Sequence, residues 1–126
     1  MFSKREKSFL AVARYFAGKS SQRYKHGAVI IKGGSVIGTG YNKGRNNPNY
    51  ISPEHIKSDG SYHAEEVAIK NAGENTQGAT IYVARINKTG QDRDSKPCKK
   101  CMGVIKDSGI KKVIYTTNSG RINVYN

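Results

Sequence analysis

Ser61 to Gly73 reads SYHAEEVAIKNAG, a histidine and two carboxylates at the head of an amphipathic run that closes on glycine. The chain has only three histidines, and His63 stands two residues ahead of Glu65. A second stretch, Ser95 to Gly103, reads SKPCKKCMG and holds both cysteines. Each stretch follows a polar loop and opens a helix-like pattern, so where the two helices start decides both the fold and the chemistry.

Working outward, Ser3 to Ala17 has Phe9, Val12, Ala13 and Phe16 on one face at spacings of three and four, which predicts a helix. Ser3 with Glu6 fits a capping box, and Gly18 fits a stop. HGAVIIK (His26–Lys32) and VIGTGY (Val36–Tyr41) flank GGS and read as a hairpin. A polar loop covers Asn42 to Gly60, and a second helix covers Tyr62 to Asn71. ATIYVARI (Ala79–Ile86) is a third strand, followed by the polar loop Asn87–Lys96. Pro97 opens a third helix that runs to about Ser108, since a proline's missing N–H costs nothing in a first turn. KKVIYTT (Lys111–Thr117) and RINVY (Arg121–Tyr125) are the last strands, joined by a turn too short for a helix. The order implies an α/β fold with a five-stranded mixed sheet, an antiparallel first pair, parallel pairing through the crossovers and an antiparallel last pair.

His63 at the start of the second helix, and Cys98 and Cys101 three apart in the first turn of the third, can meet at one end of the sheet. One imidazole and two thiolates are a zinc donor set, and three protein ligands leave the open position of a catalytic site. His26 and His55 have no metal-ligand spacing to either half. Glu65 can reach the space in front of the same helix terminus without ligating the metal, which suits a proton carrier. Helix N-termini also favour the thiolates. A cap histidine with a buried or redox cysteine pair is the plain alternative.

The length of 126 residues fits a single domain spanning 1–126, and no run approaches the ~18 apolar residues of a membrane span. The N-terminal apolar patch is broken by Arg14 and Tyr15 and lacks a cleavage site, so an intracellular protein is expected. The formal charge of +13 is spread over the chain, which makes a polyanion partner on a folded body the expectation.

H-x-E followed by P-C-x-x-C, here His63-Ala64-Glu65 and Pro97-Cys98-Lys99-Lys100-Cys101, resembles the signature of the zinc-dependent nucleobase deaminases. GAVIIKGGSVIGTGYN and GIKKVIYTT extend that resemblance to the cytidine deaminase-like superfamily over nearly the whole chain. It implies a three-layer α/β/α fold. It also implies Zn2+ held by His63, Cys98 and Cys101, with Glu65 as the catalytic proton shuttle. By the same resemblance Asn42 would bond the nucleoside, the amide of Ala64 would meet the base carbonyl, and Pro97 and the main chain at Ser95 would border the exocyclic amine. His26 stands where relatives often carry an apolar residue; it could stack on a pyrimidine or cap its strand. The hairpin ending resembles the branch that contains free cytidine deaminases and toxin deaminases acting on nucleic acid.

The expected activity is conversion of cytosine to uracil in a polynucleotide, single-stranded DNA foremost. Tyr41, Tyr50 and Tyr62 are candidate stacking rings, and Lys43, Arg45, Lys96, Lys99 and Lys100 candidate phosphate contacts. The alternative is a free-nucleotide deaminase acting on deoxycytidylate or cytidine. A third reading is a nucleic-acid-binding protein whose zinc only staples the fold. Polynucleotide relatives are often monomeric, so a monomer is expected.

Overall fold

The computed structural model describes residues 2–43 and 63–125. Tyr50, Tyr62, Arg45 and His55 lie outside the described residues. The elements run α1 (Lys4–Ala17), β1 (Lys25–Lys32), β2 (Ser35–Tyr41), α2 (Ala64–Ala72), β3 (Thr80–Ile86), β4 (Asp92–Arg93), α3 (Lys99–Asp107), β5 (Lys112–Thr116) and β6 (Ile122–Tyr125). The capping box forms as the sequence predicts: Ser3 N donates to Glu6 Oε1 at 2.8 Å and Glu6 N to Ser3 Oγ at 3.1 Å.

One sheet runs in the order β2-β1-β3-β5-β6. β1 pairs antiparallel with both β2 and β3, β3 pairs parallel with β5, and β5 pairs antiparallel with β6. Parallel pairing is thus confined to β3 and β5, because β1 inserts between β2 and β3. A sixth strand corrects the expected five: Asp92 and Arg93 pair with Ile86 and Arg85 at the end of β3. No hydrophobic alternation announces it. It forms because Asn87 Oδ1 gathers the amides of Thr89 and Gln91 into a turn, and because Arg14 grips the Asp92 carboxylate with two bonds of 2.8 and 3.0 Å.

Side chains alternate across the sheet and split the core in two. Ala28, Ile30, Ile81, Val83, Val113 and Tyr115 face α2 and α3, which contribute Ala64, Ala68, Ala72 and Ile105. Val29, Ile31, Tyr82, Ala84 and Ile114 face α1, which contributes Leu10 and Ala13. This is the three-layer α/β/α arrangement. On the first face, α2 lies directly on β2. Its alanines at spacings of four meet Gly38 and Gly40, and a Cβ at Gly40 would stand 2.7 Å from Ala64 O and 2.6 Å from Ala68 N. Small residues on both sides therefore fix the height and pitch of α2, and with them the place of its first residues.

Candidate metal centre and its surroundings

α2 and α3 start at the same end of the sheet, and each is capped by one of the expected metal ligands. His63 is the N-cap of α2, and Cys98 is the N-cap of α3. This corrects the expected start of α3: the helix begins at Lys99, with Pro97 buried just ahead of the cap. The sulfur of Cys98 accepts from the amide of Cys101 at 3.5 Å, a thiol doing the work of a cap oxygen.

The imidazole turns its Nδ1 toward both sulfurs, 3.2 Å from Cys101 Sγ and 3.9 Å from Cys98 Sγ. All three ligand atoms lie within 4.8 Å of one another. Tetrahedral zinc, with bonds of about 2.3 Å to sulfur and about 2.0 Å to nitrogen, sets donors about 3.5 to 3.8 Å apart. The three residues fit that ion. Cys101 is buried, and burial pushes its thiol well up, with Glu65 and Cys98 adding to the effect. A thiolate in that position needs a cation beside it.

Glu65, in the first turn of α2, is buried, and burial pushes its carboxyl above the ordinary range while His63 pulls it partly back. Ala64 opens the helix, where the first amides have no acceptor within the helix itself. Glu66, on the same turn, lies 3.8 Å from the ammonium of Lys100, which has no hydrogen-bond acceptor among the described residues. That pair joins α2 to α3 beside the ligands.

Asn42 sits at the same end, but its carboxamide already serves the backbone. Oδ1 accepts from His26 N at 2.9 Å and Nδ2 donates to Tyr24 O at 2.5 Å, so the side chain pins the entry to β1. His26 shares the face of Ala28 and Ile30, toward α2. Burial first, then the Arg85 guanidinium and His63, pulls its imidazole down to about 4 against an opposing pull from Asp94, so it is neutral at pH 7. Ser95 is buried where β3 and β5 part. Its hydroxyl donates to Val83 O at 2.9 Å and accepts from Thr116 N at 2.8 Å, while Thr116 Oγ1 donates to Arg93 O at 2.7 Å. Its side chain closes the sheet beneath Pro97.

Tyr41 pairs with Gly27, on the face that meets α1, and Lys43 lies over its ring at 5.1 Å. Lys96 and Lys99 are exposed on the approach to α3. The sequence reading passed over Arg85, although it stands on the face of Ile81 and Val83 and breaks an apolar alternation there. That break was the available signal.

Residues 3–117 match the family described as the cytidine and deoxycytidylate deaminase zinc-binding region. The chain is 32% identical over 117 residues to the riboflavin biosynthesis protein RibD of Aquifex aeolicus, covering 89% of this chain and 28% of that protein. It thus spans under a third of the length of that relative. It is 33% identical over 129 residues to the deoxycytidylate deaminase of Mycobacterium phage D29, covering 88% of this chain and 93% of that one. Among solved structures, the cytidine deaminase of Burkholderia pseudomallei superposes with a TM-score of 0.71 at 19% identity, over 99% of this chain and 93% of that chain, a likeness of fold. On its motifs, its metal centre and a match across most of its length, the chain belongs to the zinc-binding cytidine and deoxycytidylate deaminase family.

Proposed function

We propose that this chain hydrolytically removes the exocyclic amine of cytosine within a single-stranded polynucleotide, DNA foremost, leaving uracil and ammonia. The observation that carries the reaction class is the meeting of His63, Cys98 and Cys101 with Glu65 in the adjoining helical turn. When bound, zinc supplies Lewis acidity that makes water a competent nucleophile near neutral pH. Glu65 takes the proton from the attacking water and returns it to the amine nitrogen as the carbon–nitrogen bond breaks. Its burial keeps bulk water from competing for that proton. The amide of Ala64, at the positive end of α2, holds the base carbonyl. Pro97 and the Ser95 main chain wall the amine side, and Asn42 at the end of β2 and His26 on β1 border the sugar and base.

The polynucleotide reading rests on the net charge of +13, which gives strong, salt-sensitive attraction to a phosphate backbone. One observation favours a second reading, deoxycytidylate: the phage D29 relative matches along 93% of its own length and bears that activity in its name. The two readings separate in one assay. Zinc-loaded protein is incubated with a cytosine-containing single strand and with deoxycytidylate, at low and high salt, and uracil is counted. Conversion of the strand, weakened by salt, supports the first reading. Turnover of the mononucleotide alone eliminates it, and product in neither assay with zinc in place points to a structural ion.

A further inference from the structure

We infer that Arg23, Tyr24, Arg85 and Arg93 form a strand-binding strip that leads out of the metal pocket, with the guanidinium groups holding successive phosphates of a single-stranded nucleic acid and the exposed Tyr24 ring stacking on an unpaired base. The inference rests on the polynucleotide reading above and gives it a surface.

The register supplies the geometry. His26 on β1 pairs directly with Arg85 on β3, and Arg85 pairs directly with Arg93 on β4. Directly opposed residues project from the same face of a sheet. Arg85 shares its face with Ile81 and Val83, which pack under α2 and α3, so the row His26–Arg85–Arg93 lies on the side of the metal ligands. Gly40, paired with Ala28, lies against Ala64 at the start of α2, so His26, two residues before Ala28 on the same face, sets the inner end of the row where α2 begins. Tyr24, two residues before His26, is 52% exposed. The guanidinium of Arg85 lies over its ring at 4.7 Å and that of Arg23 at 5.4 Å.

The arginines are also uncompensated. Among the described residues none of the three forms an ion pair with a carboxylate. Among the described residues the Arg85 guanidinium donates only to the Asp94 carbonyl at 3.4 Å, and that of Arg93 to the Asp92 carbonyl at 3.2 Å. Of the nearby acids, Asp92 is gripped by Arg14 on the opposite face, while Asp94 keeps its charge, accepts from the amide of Lys96 and meets Arg85 only through its carbonyl. Fork-shaped donors without acid partners, set around an exposed ring, match the alternating phosphate and base of a single strand and exceed what one 5′-phosphate needs.

The test measures binding, so it reads the strip separately from turnover. A fluorescein-labelled 12-nucleotide single strand lacking cytosine is titrated with zinc-loaded protein across a salt series. The proteins are wild type, Arg85→Gln/Arg93→Gln, Tyr24→Ala, and Lys32→Gln as a charge control at the far end of β1. We expect the double variant to bind about tenfold more weakly and to lose about 0.7 from the salt slope per arginine. Tyr24→Ala should lose about tenfold with the slope kept. Binding by these variants equal to that of Lys32→Gln overturns the strip. So does a rise in the deoxycytidylate KM with strand affinity at the control level, which would assign these groups to a single phosphate. Should the double variant fail to fold, Tyr24→Ala alone decides, since its ring is at the surface. A wild type that binds the strand but never deaminates cytosine in one overturns the functional reading and leaves the strip standing.

Discussion

Nδ1 of His63 lies 3.2 Å from the sulfur of Cys101, although the two residues are 38 positions apart and cap or enter different helices. That contact forces the first prediction. Cys101→Ala removes the buried donor of the three, so bound zinc should drop from near one per chain to near zero by elemental analysis, and deamination should vanish with it. Stoichiometric metal in that variant would mean another group completes the site.

Glu65→Gln keeps the shape of the side chain and removes its proton chemistry. Zinc should stay bound, because Glu65 is outside the donor set, while turnover of cytosine falls by roughly 10²- to 10⁴-fold. Loss of the metal together with activity would show that the carboxylate ligates.

Ser95→Ala tests whether the buried hydroxyl holds the sheet. It would leave the Thr116 amide without its acceptor in a fully buried place, at a cost of about 1 to 3 kcal/mol in urea unfolding. With the main chain in position, kcat should change little, whereas a large loss of kcat at full stability would give the hydroxyl a chemical role.

Gly40→Ala tests the seat of α2. The added methyl meets the backbone of Ala64 and Ala68, neither of which can swing aside. We expect a loss of about 1 to 3 kcal/mol from overpacking and weaker zinc retention, because the turn that carries His63 and Glu65 is what must move. Unchanged zinc affinity in a destabilised protein would separate helix seating from the metal centre.

His26 gives a pH signature. Its folded value of about 4 lies below the ordinary 6.5, so between those limits the unfolded chain holds a proton that the folded chain lacks. Stability should therefore rise with pH across that window, by up to about 1.4 kcal/mol per unit from this group. His26→Gln should flatten that part of the profile when both proteins are unfolded in urea without metal. Superimposable profiles would refute the assignment.

Local chemistry made most of the fold legible. The Ser3–Glu6 box and Gly18 bracket α1, the glycine turn sets the hairpin, and H-x-E with P-C-x-x-C names the ligands and sets them on two helix starts. What stayed hidden depends on register. Tyr41 follows the glycine that seats α2, yet the two-residue period of the strand sends it to the α1 face. The strand Asp92–Arg93 arises from an asparagine turn and a distant Arg14, neither of which leaves a hydrophobic pattern. Arg85 becomes meaningful only once β1, and not β2, is known to be the neighbour of β3. Asn42 reads as a nucleoside contact by resemblance; that its carboxamide also pins the main chain at Tyr24 and His26 shows only once β1 is paired with β2.

Two donors of the metal centre cap their helices and the third lies in the first turn of α3; α2 rests on the sheet, and Ile105 ties α3 into the same apolar core. The sheet core therefore needs no ion to assemble, in contrast to small domains that collapse when chelated. Metal capture becomes a finishing step on a body already built. A chelator should leave a folded, inactive, rechargeable protein whose loosened parts are confined to the rim around residues 63 and 98.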